Sequence, residues 1–426
     1  MEDDCKSSLN FFSDQQLCYA DILAPPEAIA RIQVAVLNFL RILTSPAPAI
    51  SDLPLVTRKS SNRRFNQGLL TQTSWIFLTN ALCTRSLSRP NAARAFIREF
   101  SVTVWKLMAM CSRILGLDKK VTQRELFYKL LCDSPDYFSS QSQVNRTIQD
   151  VVALLRCSRY SLGIMASSRG LVAGRLQLQE PNQDVVDCAA CGFSGHNISG
   201  DLNSVEKLMM KTDARYIIVV EKHAIFQRLV EDRVFNQIPS ILITARGYPD
   251  IATRILLHRM SRAFPDLPML ALVDWNPAGL AILCTFKFGS IGMGLEAYRY
   301  GNLVPVFLLL NNNLFLRRKK LTRSIGLWRD LACNVKWLGL RGEDLELVPE
   351  QALVPLKPKD LQIAKSLISS EILQVPKISG LQENYRAELT WMVESGKRAE
   401  IEALYSQGYD YLGKFIARKI VQANYI

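Results

Sequence analysis

The stretch VTQRELFYKLLCDSPDY, residues 121–137, holds the first group able to do chemistry. Thr122 followed three places on by Glu125 is the signature of a capping box, so a helix opens over RELFYKLL and Tyr128 falls inside it. Arg124 lies four residues earlier, on the same helical face, where a guanidinium and a phenol can meet one phosphate. A phenol that attacks a phosphodiester forms a phosphotyrosyl link and conserves the bond energy for resealing. Its ordinary pKa of about 10 means that it needs a cation, and a metal, to be activated. Packing is the rival reading, since the chain has 13 tyrosines.

The metal would come from a second group. RYIIVV, SILITA and MLALVD are short apolar runs of the kind buried on both faces of a parallel sheet. They alternate with helical stretches such as HAIFQRLVEDRVF and IATRILLHRMSRAF, which gives a βαβαβ pattern. Glu221 follows the first run, Asp274 closes the third, and Trp275-Asn276-Pro277 comes next. Open parallel sheets bind ligands outside the carboxyl ends of their strands, so Glu221, Asp274 and Asn276 converge there. Hard oxygen donors suit Mg²⁺, which bridges phosphate oxygens. Alternatively, the acids merely cap the helices that follow their strands.

The elements that must position these groups divide as follows. Residues 1–45 hold an amphipathic helix, PEAIARIQVAVLNFLRIL, with Ile29, Ile32, Val36, Phe39, Leu40 and Leu43 on one stripe. A Pro-, Ser- and Arg-rich stretch, 46–91, reads as a linker, so the helix stands apart as a partner-docking element or else packs on its own domain. Residues 92–180 read as helix, turn, helix and β-hairpin. SQVNRTIQDVVALLR turns Val144, Ile148, Val151, Val152 and Leu155 inward and Asn145, Arg146 and Gln149 outward. The hairpin is RYSLGIMAS and GLVAGRLQL around Ser168-Arg169-Gly170. That is a winged-helix pattern, with Arg146, Arg156, Arg159, Arg169 and Arg175 as candidate phosphate contacts. A connector, 181–212, leads to the α/β domain of residues 213–426.

Composition bounds the partners. The 426 residues carry 52 Lys and Arg against 39 Asp and Glu, a net +13, which favours an anionic partner, nucleic acid before membrane. Ten cysteines scattered through a chain of this size imply a reducing compartment, not a disulfide scaffold. The acidic N-terminus has no signal-peptide character and no apolar run reaches membrane-spanning length, so a soluble intracellular protein is expected. CAACGFSGH, 188–196, lacks the second ligand pair of a zinc finger. No GxxxxGKT motif is present, so any use of ATP must come from another chain.

Taken in order, RELFY, CSRYSLGI, SRGLVAG, VVEKHAIF, ITARGYPDIATR, LVDWNPAG and FKFGS resemble the A-type component of topoisomerase VI and its eukaryotic relative, the meiotic transesterase that makes recombination-initiating double-strand breaks. Within that family the chain looks most like the second plant paralogue. The resemblance implies a winged-helix domain joined to a Toprim domain in an α/β multidomain chain, working in the nucleus as a homodimer or as a heterodimer with a paralogous A-type chain. It implies Tyr128 as nucleophile, left on the 5′ end of the broken strand, with Arg124 assisting. It further implies Mg²⁺ on Glu221, Asp274 and Asn276, with Tyr248 beside double-stranded DNA. In the family, the tyrosine of one protomer works with the metal of the other, and a B-type ATPase-like subunit is the further partner. The alternative functions are a non-cutting DNA-binding scaffold and the A-type component of a somatic topoisomerase VI.

Two departures accompany the resemblance. The family generally has Asp-x-Asp where this chain has Asp274-Trp275-Asn276, which removes one charge from the cation site. Residues 301–331 and 374–380 interrupt the family pattern and read as translated intron sequence or, for the longer one, as a basic loop.

Overall fold

A computed structural model describes residues 22–43, 63–66, 69–72, 92–181, 183–289, 333–370, 373 and 381–426. The atypical segments 301–331 and 374–380 lie outside the described residues. The chain divides into two compact units that meet in sequence between Ser167 and Ser168.

The first unit is helical. Helix α1 (Pro25–Leu43) packs on α2 (Ala92–Gly116) and on the later helix α4 (Gln141–Leu155). Between them in sequence lies α3 (Gln123–Asp133), opened by the expected capping box: Thr122 accepts from the Glu125 amide and Glu125 accepts from the Thr122 amide. Leu126 and Leu130, one turn apart, are fully buried and carry the inner face of α3. In α4, Val144, Ile148, Val151, Val152 and Leu155 are buried as expected. Gln149, expected outside, is buried as well.

Three expectations need correction. Helix α1 does not stand apart: Ala28, Ile32 and Ala35 are buried in the same core as α2 and α4, and Phe39 stacks against Trp105 at 4.9 Å. The small alanines let the helices approach closely; of the expected stripe, Ile32 is buried and Ile29 and Phe39 pack on the same side, whereas Val36 and Leu40 do not. Val36, Leu37 and Leu40 stay exposed. The stretch 46–91 is not linker throughout, because Arg63–Asn66 and Leu69–Gln72 form a two-stranded sheet.

The hairpin does not form either. Ile164–Met165 pair in parallel with Val121–Thr122, whereas strand β1 (Leu171–Gly174) belongs to the second unit and pairs there. All four residues of β1 are buried, so its apparent alternation marks a strand covered on both faces, not a half-exposed hairpin arm.

The second unit is built on a six-stranded mixed sheet. Besides β1 it contains β2 (His196–Asn197), β3 (Tyr216–Val220), β4 (Ser240–Thr244), β5 (Met269–Leu272) and β6 (Val335–Trp337), in the order β6-β5-β3-β4-β1-β2. Strands β3, β4, β5 and β6 run parallel, with Ile217 opposite both Ile241 and Met269. Strands β1 and β2 add an antiparallel edge. Helices α5 (His223–Glu231), α6 (Ile251–Ala263) and α7 (Pro277–Phe288) follow β3, β4 and β5. The three central strands are the three apolar runs read from the sequence, and their side chains are almost wholly buried.

Helix α7 is set hard against the end of β5. Its first-turn residue Gly279 leaves no room for a side chain: an added Cβ would lie 2.6 Å from the Asp274 carbonyl oxygen and 3.1 Å from Glu221 Oε2. Backbone cannot yield as a flexible side chain does, so Gly279→Ala should lower stability by about 1–3 kcal/mol. Thermal melting of the full chain checks this; an unchanged melting temperature would mean that α7 is free to withdraw.

Candidate metal and DNA site

Adjacent parallel strands place their carboxyl ends side by side, and this is what gathers the acidic residues. Glu221 follows β3 and donates its amide to Leu272 of β5, while its own carbonyl accepts from Gly247 after β4. The turn at Arg246-Gly247 takes positive φ at both residues and presents Tyr248, half-exposed, beside Glu221. Burial, with the Glu221 charge adding to it, raises the Tyr248 phenol above its ordinary value of 10.

Each acid is held by a specific donor. Glu221 Oε2 accepts from the Asp274 amide at 3.0 Å. Asp274 Oδ1 accepts from the Ile401 amide at 2.9 Å, and its Oδ2 lies 3.0 Å from Lys222 Nζ. Asn276 is the N-cap of α7: its Oδ1 accepts from the Gly279 amide at 2.7 Å and its amide nitrogen donates to Asp274 Oδ2 at 3.4 Å. Both ends of the Asn276 amide are therefore already in use, and what remains to a cation or its water is the second lone pair of Oδ1. The alternative that the acids cap the following helices is not met: the N-caps are Lys222 and Asn276.

The electrostatics suit a cation. Glu221 is 8% exposed and Asp274 2% exposed. Burial, together with the neighbouring Asp274 charge, pushes Glu221 up from 4.5 to about 7. Burial likewise pushes Asp274 up from 3.8 to about 6, even though Lys222 and the Ile401 amide oppose it. Two carboxylates whose ionisation burial opposes gain from a bound cation, and an all-oxygen donor set fits a hard divalent ion whose remaining positions are water or phosphate. Among the described residues, no three His, Cys, Asp or Glu side chains are grouped as metal ligands, so the pair stands without a third such ligand.

Three contributors escaped the sequence reading. Lys222 bonds Glu400 and Glu402, which close the site from a segment far along the chain, with Ala399 bridged to Trp275. Lys222 stood in plain view beside Glu221, yet no periodicity links it to partners 178 and 180 positions away.

The first unit carries Tyr128 and Arg124. Tyr128 is 51% exposed on α3, with the Arg124 guanidinium carbon 5.9 Å from its ring centre. The arginines expected on phosphate fall into two groups. Arg146 on α4 and Arg169 are exposed, the latter donating to the Tyr248 carbonyl at 3.2 Å. Arg159 is buried, and Arg175 is committed to the Phe235 carbonyl and the Asp213 carboxylate, so neither presents its charge to a ligand. Arg156 is half-buried at the left-handed C-cap of α4, its carbonyl accepting from Arg31. Arg159 and Arg175 are held by the fold, where the winged-helix pattern had them facing phosphate.

Comparison with known proteins gives a consistent outcome. A family model for the Toprim domain of Spo11 and of the topoisomerase 6 A component matches residues 216–303 and 327–420, and one described as type IIB DNA topoisomerase matches residues 100–164. The gap between the Toprim matches falls within 301–331. The meiotic recombination protein SPO11-2 of Arabidopsis thaliana is 65% identical over 420 residues, covering 99% of this chain and 98% of that protein. The A component of DNA topoisomerase 6 from the same plant is 33% identical, covering 80% of this chain and 70% of its own length. The human meiotic recombination protein SPO11 is 32% identical over 74% of this chain and 69% of its own.

The raised carboxyls predict a pH effect of definite sign. Folding favours protonated Glu221, so this contribution to stability is complete below its ordinary value of 4.5 and is lost as pH rises through about 7. Without divalent cation, Glu221→Gln should stabilise the chain at pH 8 by on the order of 2 kcal/mol. The gain should fade toward pH 4.5 in melting curves, and a gain that persisted unchanged there would remove ionisation as its cause.

Proposed function

The chain belongs to the family of Spo11 and the topoisomerase 6 A component, and on that premise we propose that it is one component of a meiotic DNA-cleaving transesterase. The reading has it make double-strand breaks that initiate homologous recombination. The Tyr128 oxygen attacks a backbone phosphorus, the bond to the 3′ oxygen breaks, and that oxygen leaves as a 3′-hydroxyl after taking up a proton. The phosphate stays on Tyr128 as a 5′-phosphotyrosyl link.

The observation that carries this reading is the setting of Tyr128. A tyrosine kept for packing would be buried with Leu126 and Leu130, yet Tyr128 stands half in solvent on the same helix with a guanidinium near its ring. Arg124 is thereby suited to draw in the phosphate and to stabilise its added charge. Mg²⁺ held by Glu221 and Asp274, with Asn276 steering Asp274, would supply the positive charge that the leaving oxygen needs. Arg146, Arg169 and Tyr248 are the exposed groups suited to backbone contact, which is largely independent of sequence.

The tyrosine and the acids belong to separate compact units, an organisation that supports a dimer in which the tyrosine of one protomer meets the metal of its partner. The second protomer would be another copy or an A-type paralogue. A nuclear location follows from the substrate. Identity favours the meiotic reading over a somatic topoisomerase, at 65% against 33% to proteins of one plant. No helix among the described residues is long and apolar enough to cross a membrane.

Tyr128→Phe removes only the attacking oxygen. In the reconstituted complex it should retain DNA binding and lose every covalent protein–DNA adduct; adducts that persist with no other competent tyrosine present would overturn the assignment.

The exposed residues of α1 fit a B-type subunit. Leu37 and Leu40 are 54% and 47% exposed although the helix is anchored by its other face. Leu40→Asp should therefore abolish pull-down of that subunit while leaving the melting temperature unchanged. Undiminished pull-down would place the contact elsewhere.

A further inference from the structure

The ammonium of Lys222 joins three carboxylates. Nζ lies 3.0 Å from Asp274 Oδ2 and 2.9 Å from Glu400 Oε2, and it also bonds Glu402 Oε2. A lysine has three N–H bonds to give, and here each is matched by a different acid. With an acid on each of its three N–H bonds, the ammonium is held as a charged partner of all three. Two of its partners, Glu400 and Glu402, are half-buried at the edge of the site, whereas Asp274 is interior.

That arrangement poses a problem for any divalent ion on Asp274. An ammonium in contact with the same carboxylate repels the incoming cation strongly in this buried setting. A lysine with Asp274 as its sole acceptor would resist displacement, because an unpaired buried charge is costly. Glu400 and Glu402 remove the obstacle. They already bond the ammonium, so it can shift off Asp274 without losing all its ion pairs.

We propose that Lys222, Glu400 and Glu402 form a counter-charge device that sets the cation affinity of the Glu221–Asp274 pair. Lys222 neutralises Asp274 when no divalent ion is bound, and the two glutamates take up the ammonium when one is. All three are positioning residues, acting through Asp274 and not on DNA. The device rests on the reading of Glu221 and Asp274 as cation ligands. It also bears on Asn276, because an amide adds no charge to the site, which then gains from having the competing charge drawn aside.

The test uses the full-length chain and Mn²⁺ as the probe, with binding followed by the loss of the free Mn²⁺ paramagnetic resonance signal. Glu402→Gln should weaken Mn²⁺ binding by about tenfold, since the ammonium then rests more fully on Asp274. Lys222→Met should tighten binding, the opposite of what loss of a structural ion pair would do. Lys222→Gln keeps N–H donors without the charge and should tighten likewise if the methionine variant folds poorly.

The deciding comparison is the double variant Lys222→Met with Glu402→Gln. If Glu402 acts through Lys222, the double variant should bind within about twofold of Lys222→Met alone, a marked departure from additivity. Additive effects, or Glu402→Gln binding like the parent chain, would overturn the proposal. Glu221→Gln serves as the control for the underlying reading: it should abolish Mn²⁺ binding. If it did not, the metal assignment itself would fall and the device with it. If it did while Glu402→Gln had no effect, the device alone would be wrong.

Discussion

Everything in the second unit turns on keeping two carboxylates buried within a short reach of each other. Neither burial nor mutual repulsion favours the charged pair, so the fold must supply oriented donors to each side chain. It does so with backbone: the Asp274 amide serves Glu221 and the Ile401 amide serves Asp274. The parallel register of β3 and β5 brings the first of these about, since Glu221 also donates its amide to Leu272 and so lies level with the start of the Asp274 turn. Gly279 completes the arrangement by letting α7 press its first turn against both acids. The packing of one helix, the register of two strands and the ionisation of a site are a single constraint seen from three sides.

The first unit solves a different problem. Its core must hold α3 by Leu126 and Leu130 while leaving the opposite face open. The capping box fixes where the helix begins, hence which residues point outward, and so a hydrogen-bonding pattern at Thr122 and Glu125 decides the exposure of Tyr128 one and a half turns later. The exposure of the Tyr128 phenol is here a matter of helix phase.

Much of this was legible in the sequence where the signal is local. Three apolar runs became β3, β4 and β5, a capping box became the start of α3, and the acids after the strands fell together because parallel topology demands it. What was not legible depended on contacts between distant segments. GLVAGRLQL alternates like a hairpin arm, but the position of its partner 240–244 made it a sheet strand. Arg175 looks like any basic residue until Asp213 and the Phe235 carbonyl are seen beside it. Part of the α1 stripe, Ile29, Ile32 and Phe39, packs inward as read, but close helix approach puts Ala28 and Ala35 in the core and leaves Val36 and Leu40 exposed. Glu400 and Glu402 carry no pattern that would link them to Glu221, and the rise in pKa that marks the site is a property of burial, which sequence spacing does not encode.

The bridge between Trp275 and Ala399 carries a consequence for how the chain is made. A ribosome that has released the chain through the helix Leu381–Ser395 has already delivered Glu221 and Asp274, but not the Ile401 amide or the two glutamates. Asp274 at that stage lacks the donor that orients it and the acids that share its lysine. Synthesis from N- to C-terminus thus leaves the acidic pair without its charge balance and its fixed direction until the segment beyond Ser395 emerges. A product terminated before that point would carry Tyr128 without the backbone donor and the acids that complete the surroundings of Asp274.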